Sequence, residues 1–323
     1  MRHMNKITTA LGAGLALLAM ASCSQKELCY THPHTENVNV VFDWKNAPTA
    51  QPTTMSLYTF EKDGGGNMRY EFTNYHGGKA DLASGVYDAL CINSDGPRNF
   101  FRNIEKRETF EVYTQEATMM EDISEMTINL PRARGTEKER VVSQPDGIWG
   151  DVTTSPFVLK LDDGIQDINR TLTLYPKPLF CTYTVEIRNA QNLKYARGIS
   201  ATLSGLAGGM MVETAIPTEE LVTVTFGVEK QKDGTTVSGS FRTFGYSSKQ
   251  QKPEHKLVVY VVLDDGSRRL YTYDVTDQVR KATDSRNIKI ILDGLPLPKP
   301  ITNGSGFKPS VSKWELVEIG IKA

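Results

Sequence analysis

Residues 257–275 read Leu-Val-Val-Tyr-Val-Val-Leu-Asp-Asp-Gly-Ser-Arg-Arg-Leu-Tyr-Thr-Tyr-Asp-Val. Two runs rich in β-branched and aromatic side chains enclose Asp264-Asp265-Gly266-Ser267, and glycine in such a link supplies the positive φ that a tight hairpin needs. The run Val258-Val259-Tyr260-Val261-Val262 is apolar on both faces, which predicts a central strand covered on both sides. Working outward, short strand-like segments recur at residues 157–161, 171–175, 181–187, 199–204, 223–228, 239–244 and 288–292. Thr276 is placed to cap one short helix over residues 277–282, since a threonine hydroxyl can accept from a free amide of the first turn.

The texture is the same toward the N-terminus. Val38, Val40, Phe42 and Trp44 alternate with Asn39, Val41 and Asp43, the period of a half-buried strand. Residues 55–60 and 68–72 flank Asp63-Gly64-Gly65-Gly66, another hairpin signal, and 86–93, 110–113 and 126–130 follow as strands. At 323 residues, of which 39% are hydrophobic, the chain has material for about two domains. The expectation is an all-β protein of two tandem β-sandwiches, at residues 36–143 and 144–292. Between residues 131 and 146, Arg132, Arg134, Glu137, Lys138, Glu139 and Arg140 read as a solvated, charged connector at the boundary. Residues 293–323 are a proline- and glycine-rich spacer ending in an extra strand that carries Trp314, Leu316, Val317, Ile319 and Ile321. That strand is expected either to pair with an edge of its own second domain or to be exchanged with another subunit.

Charge and hydropathy narrow the function. Thirty-seven basic against thirty-eight acidic side chains leave a net charge of -1, so nucleic acid is not an expected partner. The apolar run from Ala10 to Ala21, after Arg2 and Lys6, is too short to cross a bilayer and reads as a processing segment, residues 1–22. It ends in Leu18-Ala19-Met20-Ala21-Ser22-Cys23, a pattern that resembles a bacterial lipobox. Cys23 is then the lipid-bearing first residue of the mature chain, and residues 23–35 are a tethered entry segment. Several acyl chains make a lasting anchor where one does not. With Cys23 lipidated, Cys29, Cys91 and Cys181 remain. One disulfide, with Cys29 and Cys91 as the candidate pair, or three buried free thiols both account for an odd number.

The stretch Cys29-Tyr30-Thr31-His32-Pro33-His34-Thr35 leading into Val40-Val41-Phe42-Asp43-Trp44, and the stretch Val86-Tyr87-Asp88-Ala89-Leu90-Cys91-Ile92-Asn93-Ser94-Asp95, together with the lipobox, resemble a domain-of-unknown-function family of Bacteroidales lipoproteins. That family is itself similar to fimbrial anchor, or fimbrillin-associated, proteins. The resemblance covers most of the chain. It implies transthyretin-like sandwiches, a lipid at Cys23, an outer-membrane and surface-exposed location, and a role at the base of or along a filament with pilin subunits as partners. It implies no catalytic residue.

Other chemistry reads as structural. Cys29, His32 and His34 are suitable metal ligands, but Pro33 keeps them extended and no fourth ligand is near, so no metal is expected. Gly64-Gly65-Gly66 lacks the lysine of a phosphate loop, and Asp162-Asp163 and Asp264-Asp265 stand before glycine as turn residues. No enzyme and no cofactor are expected. The function expected is that of a lipid-anchored cell-surface structural or adhesion protein, a fimbrial anchor or accessory subunit. The alternative is a glycan-binding surface lipoprotein that displays Tyr30, Tyr75, Trp149 and Tyr246.

Overall fold

The computed structural model describes residues 35–62, 66–117, 130–160, 170–247, 253–300 and 314–318. The protein is all-β and sandwich-like, and the strands among the described residues are arranged in five sheets.

An outer sheet has the order β11-β1-β4, with β1 (Thr35–Phe42), β4 (Gly77–Ala83) and β11 (Thr171–Leu174). In β1 the expected alternation holds, with Val38, Val40 and Phe42 buried and Asn37 and Asn39 exposed. These side chains meet a middle sheet ordered β12-β9-β5-β2-β3, with β10 also paired to β5. Its strands are β2 (Met55–Glu61), β3 (Asn67–Phe72), β5 (Gly85–Asn93), β9 (Trp149–Val152), β10 (Phe157–Leu159) and β12 (Lys177–Pro178). Met55, Leu57, Ala89 and Cys91 pack toward the outer sheet, where Phe42 and Phe72 meet edge to face at 5.5 Å.

The opposite parity of the same strands, Tyr58, Phe60, Leu90 and Ile92, is buried as well. It lies against a bridging sheet ordered β16-β15-β7-β6, built from β6 (Asn99–Arg102), β7 (Glu111–Thr114), β15 (Gly209–Met211) and β16 (Ile216–Pro217). Phe110, Val112, Met210 and Val212 fill that layer. The middle sheet is therefore the centre of three layers, and the bridging sheet takes strands from both halves of the chain.

The C-terminal sandwich has a wide sheet, β23-β21-β20-β14-β17-β8, and a narrow one, β18-β19-β13-β22. The wide sheet comprises β8 (Arg140–Ser143), β14 (Ala196–Ala207), β17 (Leu221–Gly227), β20 (Lys256–Leu263), β21 (Arg268–Asp274) and β23 (Trp314–Glu318). The narrow sheet comprises β13 (Cys181–Gln191), β18 (Glu229–Lys230), β19 (Val237–Thr243) and β22 (Asn287–Pro296). The hairpin β20–β21 forms as expected: Gly266 has φ +81°, and the Ser267 amide donates to the Asp265 carboxylate at 2.9 Å. Leu257, Val259 and Val261 enter the core between the two sheets. Val258 and Tyr260 face outward and are covered by Leu130, Ala133 and Trp314.

Three expectations are corrected. The division at residues 143 and 144 does not coincide with sheet membership: β8 pairs in parallel with β17 in the wide sheet, while β9, β10 and β11 pair with β5 and β1. Local periodicity announces a strand but not its partner. The charged connector is solvated only in part: Arg134, Glu137 and Lys138 are exposed, while other residues of it are tied to the wide sheet. Tyr260 Oη donates to the Pro131 carbonyl at 2.9 Å, and the Glu139 carboxylate accepts from Thr223 Oγ1 at 2.7 Å and from the Gly205 amide at 3.1 Å. Lastly, the helix α1 (Thr276–Arg280) begins at Thr276 itself. The Thr276 hydroxyl instead accepts from the His255 amide at 2.8 Å.

Candidate functional site

At Ser204-Gly205 the register of β14 shifts, which lets this strand leave the wide sheet and run on into β15 of the bridging sheet. Gly205 has φ +74°, and a Cβ there would lie 2.5 Å from the Glu254 carbonyl oxygen, so only glycine fits this crossing. His255 is fully buried beside it, with Nδ1 3.2 Å from the Ser204 carbonyl. Burial pulls its imidazole down to about 4, against the opposing effect of that carbonyl.

Ionic contacts clasp the two halves nearby. Arg102 on β6 forks onto Glu111 on β7 with bonds of 2.8 and 2.6 Å, and lies 3.5 Å from Glu220. Arg140 on β8 donates to Glu220 at 2.8 Å. The Arg140 guanidinium, with Arg102 behind it, holds the Glu220 carboxyl below its usual range. Sequence reasoning had placed Arg140 in a solvated linker. Opposite charges eighty residues apart, as Arg140 and Glu220 are, carry no local signal.

A groove of about 740 Å³ opens where the wide and narrow sheets meet, lined by Gln144, Thr184, Ser200, Thr225, Ser238 and Ser240 among others. On this edge of β19, beyond its short pairing with β18, the Gln144 side-chain Oε1 accepts from the Arg242 amide at 3.3 Å. Sequence reasoning missed this groove, because hydroxyl side chains on strands read as an ordinary solvated face.

The sequence-predicted residues do not converge on one place. Cys23, Cys29, Tyr30, His32, His34, Asp162, Asp163, Ile319 and Ile321 lie outside the described residues. Cys91 is buried in β5 between Leu57 and Asp151, and burial, with the Asp151 charge, pushes its thiol well up. Cys181, half-buried, lines a separate hollow of about 260 Å³ with Met210, Pro217 and Phe244. Tyr75 and Trp149 do come together, but by packing against Trp44 at 5.9 and 6.4 Å. Trp149 also meets Phe180 at 5.6 Å. These rings belong to a sandwich end rather than a displayed platform. Tyr246 lies elsewhere, 5.1 Å from the His255 ring.

The terminal strand β23 is the outermost strand of the wide sheet, parallel to β21, with Trp314 opposite Arg268 and Val317 opposite Tyr271. Trp314 meets Tyr260 edge to face at 5.4 Å, Val317 packs on the inner core, and Leu316 remains 55% exposed.

A family model described as a domain of unknown function, DUF5119, matches residues 22–227. The chain belongs to the DUF5119 family. The DUF5119 match ends at Gly227, the last residue of β17. No curated protein matches the chain. Among solved structures, a candidate adhesin from Bacteroides ovatus aligns at 19% identity and a TM-score of 0.58, over 86% of this chain and 99% of its own. A second B. ovatus candidate adhesin gives 11% and 0.50, over 84% and 90%. The fimbrial anchor protein Mfa2 from Porphyromonas gingivalis gives 12% and 0.46, over 80% and 90%. At such identities the first of these likenesses establishes a shared fold for the DUF5119 chain.

Proposed function

We propose that this DUF5119 protein is a lipid-anchored structural or adhesion protein of the cell surface, a fimbrial anchor or accessory subunit held in the outer membrane through Cys23. The observation that carries the reading is β23. Its one ladder to the wide sheet is parallel, and it leaves Leu316 in solvent. Parallel pairing is slightly weaker per residue than antiparallel pairing. A strand so held brings main-chain hydrogen bonds and alternating side chains to another subunit's sheet edge. The lipobox and the fold shared with a B. ovatus candidate adhesin support the same reading.

Two variants test it. Cys23→Ser abolishes incorporation of labelled palmitate and releases the protein from the membrane fraction. Deletion of residues 314–323 leaves thermal unfolding of the body cooperative while removing filament proteins from a pull-down on intact cells. Unfolding of the C-terminal sandwich in that deletion would show that β23 serves its own core. The second reading, a glycan-binding surface lipoprotein, is favoured by the hydroxyl- and amide-lined groove. Saturable binding of a polysaccharide that Gln144→Ala weakens supports it over the first.

A further inference from the structure

Sheet edges are where β proteins join, and most edges in this molecule are blunted. Strands β12 and β16 are two residues long and contain Pro178 and Pro217, and β18 is equally short. On β22 the Gln278 side chain imitates a neighbouring strand, donating to the Ile291 carbonyl at 2.9 Å and accepting from its amide at 2.8 Å. Strand β8 is covered by residues 115–117, with Ala117 N donating to Val141 O at 3.0 Å and Ser143 N to Gln115 O at 3.1 Å. Tyr70 Oη donates to the Asp81 carbonyl of β4 at 3.0 Å.

Strand β3 differs. Its six residues pair with β2 in unbroken register and form one edge of the middle sheet. The bond from Glu61 N to Gly66 O sets the phase: residues 66, 68, 70 and 72 turn their main-chain groups toward β2, and Asn67, Arg69 and Glu71 turn theirs outward. Among the described residues no group bonds to those outward amides and carbonyls. Arg69 and Glu71 form an ion pair and are each about half exposed, at 49% and 46%. Met68, on the other face, is 57% exposed.

We infer that β3 is a self-association edge, at which a second copy of this chain adds its own β3 antiparallel about a two-fold axis through Tyr70. An isologous contact must be self-complementary, and the sequence of β3 is so in one register only. With Tyr70 on the axis, Arg69 of each copy stands opposite Glu71 of the other, as hydrogen-bonded pairs of outward-facing residues. Met68 then stands opposite Phe72 and loses its exposure. Shifting the strands to centre on Arg69 or on Glu71 keeps the same main-chain phase but sets like charges directly opposite, which is destabilising. The contact does not involve β23, so it stands or falls separately from the role proposed for that strand.

The test is sedimentation velocity on the full chain carrying Cys23→Ser, so that no acyl chain contributes to association. The expected result is a concentration-dependent dimer. Arg69→Glu and Glu71→Arg each weaken it by about tenfold or more, since each puts two like-charged pairs across the axis, and the double reversal restores it. A chain that stays monomeric, a dimer indifferent to the single reversals, or a double variant no tighter than the singles overturns the inference. Glu71 also accepts from Ser56 at 2.6 Å and Ser94 at 3.0 Å, so the reversals are melted in parallel. Tyr70→Cys in the otherwise unreversed chain provides the second reading. Residues facing one another across the axis in a non-hydrogen-bonded pair are close enough for a disulfide, so oxidation yields a covalent dimer, and its absence overturns the register.

Discussion

The middle sheet and the wide sheet are both apolar on two faces, yet they are covered differently. The second face of the middle sheet meets a complete layer, the bridging sheet, stitched from both halves of the chain. Among the described residues, the outer face of the wide sheet is covered by the looping segment that carries Leu130, Ala133 and Thr136 and by Trp314 of the terminal strand. A cover made of paired strands cannot leave without breaking ladders in which both halves take part. A cover made of a loop and an edge strand can be exchanged while the sandwich behind it stays closed. On this difference rests the proposal that β23, and not the bridging sheet, serves assembly.

The largest effect is expected where the covering layer is complete. Phe110 is fully buried and lies 4.8 Å from Tyr58 and 5.7 Å from Phe101. Phe110→Ala costs about 3–5 kcal/mol, read as a lower denaturant midpoint with both halves losing structure together. Next is acid. His255 is neutral in the fold, with a pKa of about 4 against 6.5 in the unfolded chain. The unfolded state therefore binds the proton first, and stability falls as pH drops from about 6.5 to about 4, by about 3 kcal/mol in all. Replacing His255 with Gln removes that step from the pH profile of the midpoint. Glu220→Gln weakens the clasp to Arg102 and Arg140 and costs about 1 kcal/mol, an effect that shrinks at high salt. Trp314→Ala, at the loop-covered face, has the smallest effect, about 1 kcal/mol or less, with the melt still cooperative. A loss at Trp314 as large as that at Phe110 would break the comparison.

Much of the fold was legible because its information is local. The alternation of Val38, Val40 and Phe42, the Asp264–Ser267 turn and the twice-covered run at Val258–Val262 each depend on neighbours a few residues away. The bridging sheet was not legible. Its β15 and β16 strands are three and two residues long, too short for any periodicity. The clustering of Tyr75 with Trp149 around Trp44 was equally hidden, since an aromatic in a loop reads the same whether it faces solvent or a neighbouring ring. The candidate surfaces divide in the same way. An apolar terminal strand announces itself, whereas the groove and the open edge of β3 are properties of what is missing beside a strand.

The amino-acid sequence by itself determined that the chain is all-β, where its hairpins turn, and which side chains alternate into a core, because steric and hydrophobic preferences act over two to four residues. Only the tertiary structure decided which strands became neighbours, that β8 to β11 cross between the expected halves, and which edges stay open. Pairing partners are chosen by closing loops of tens to hundreds of residues around a shared core, a choice to which no local pattern is sensitive.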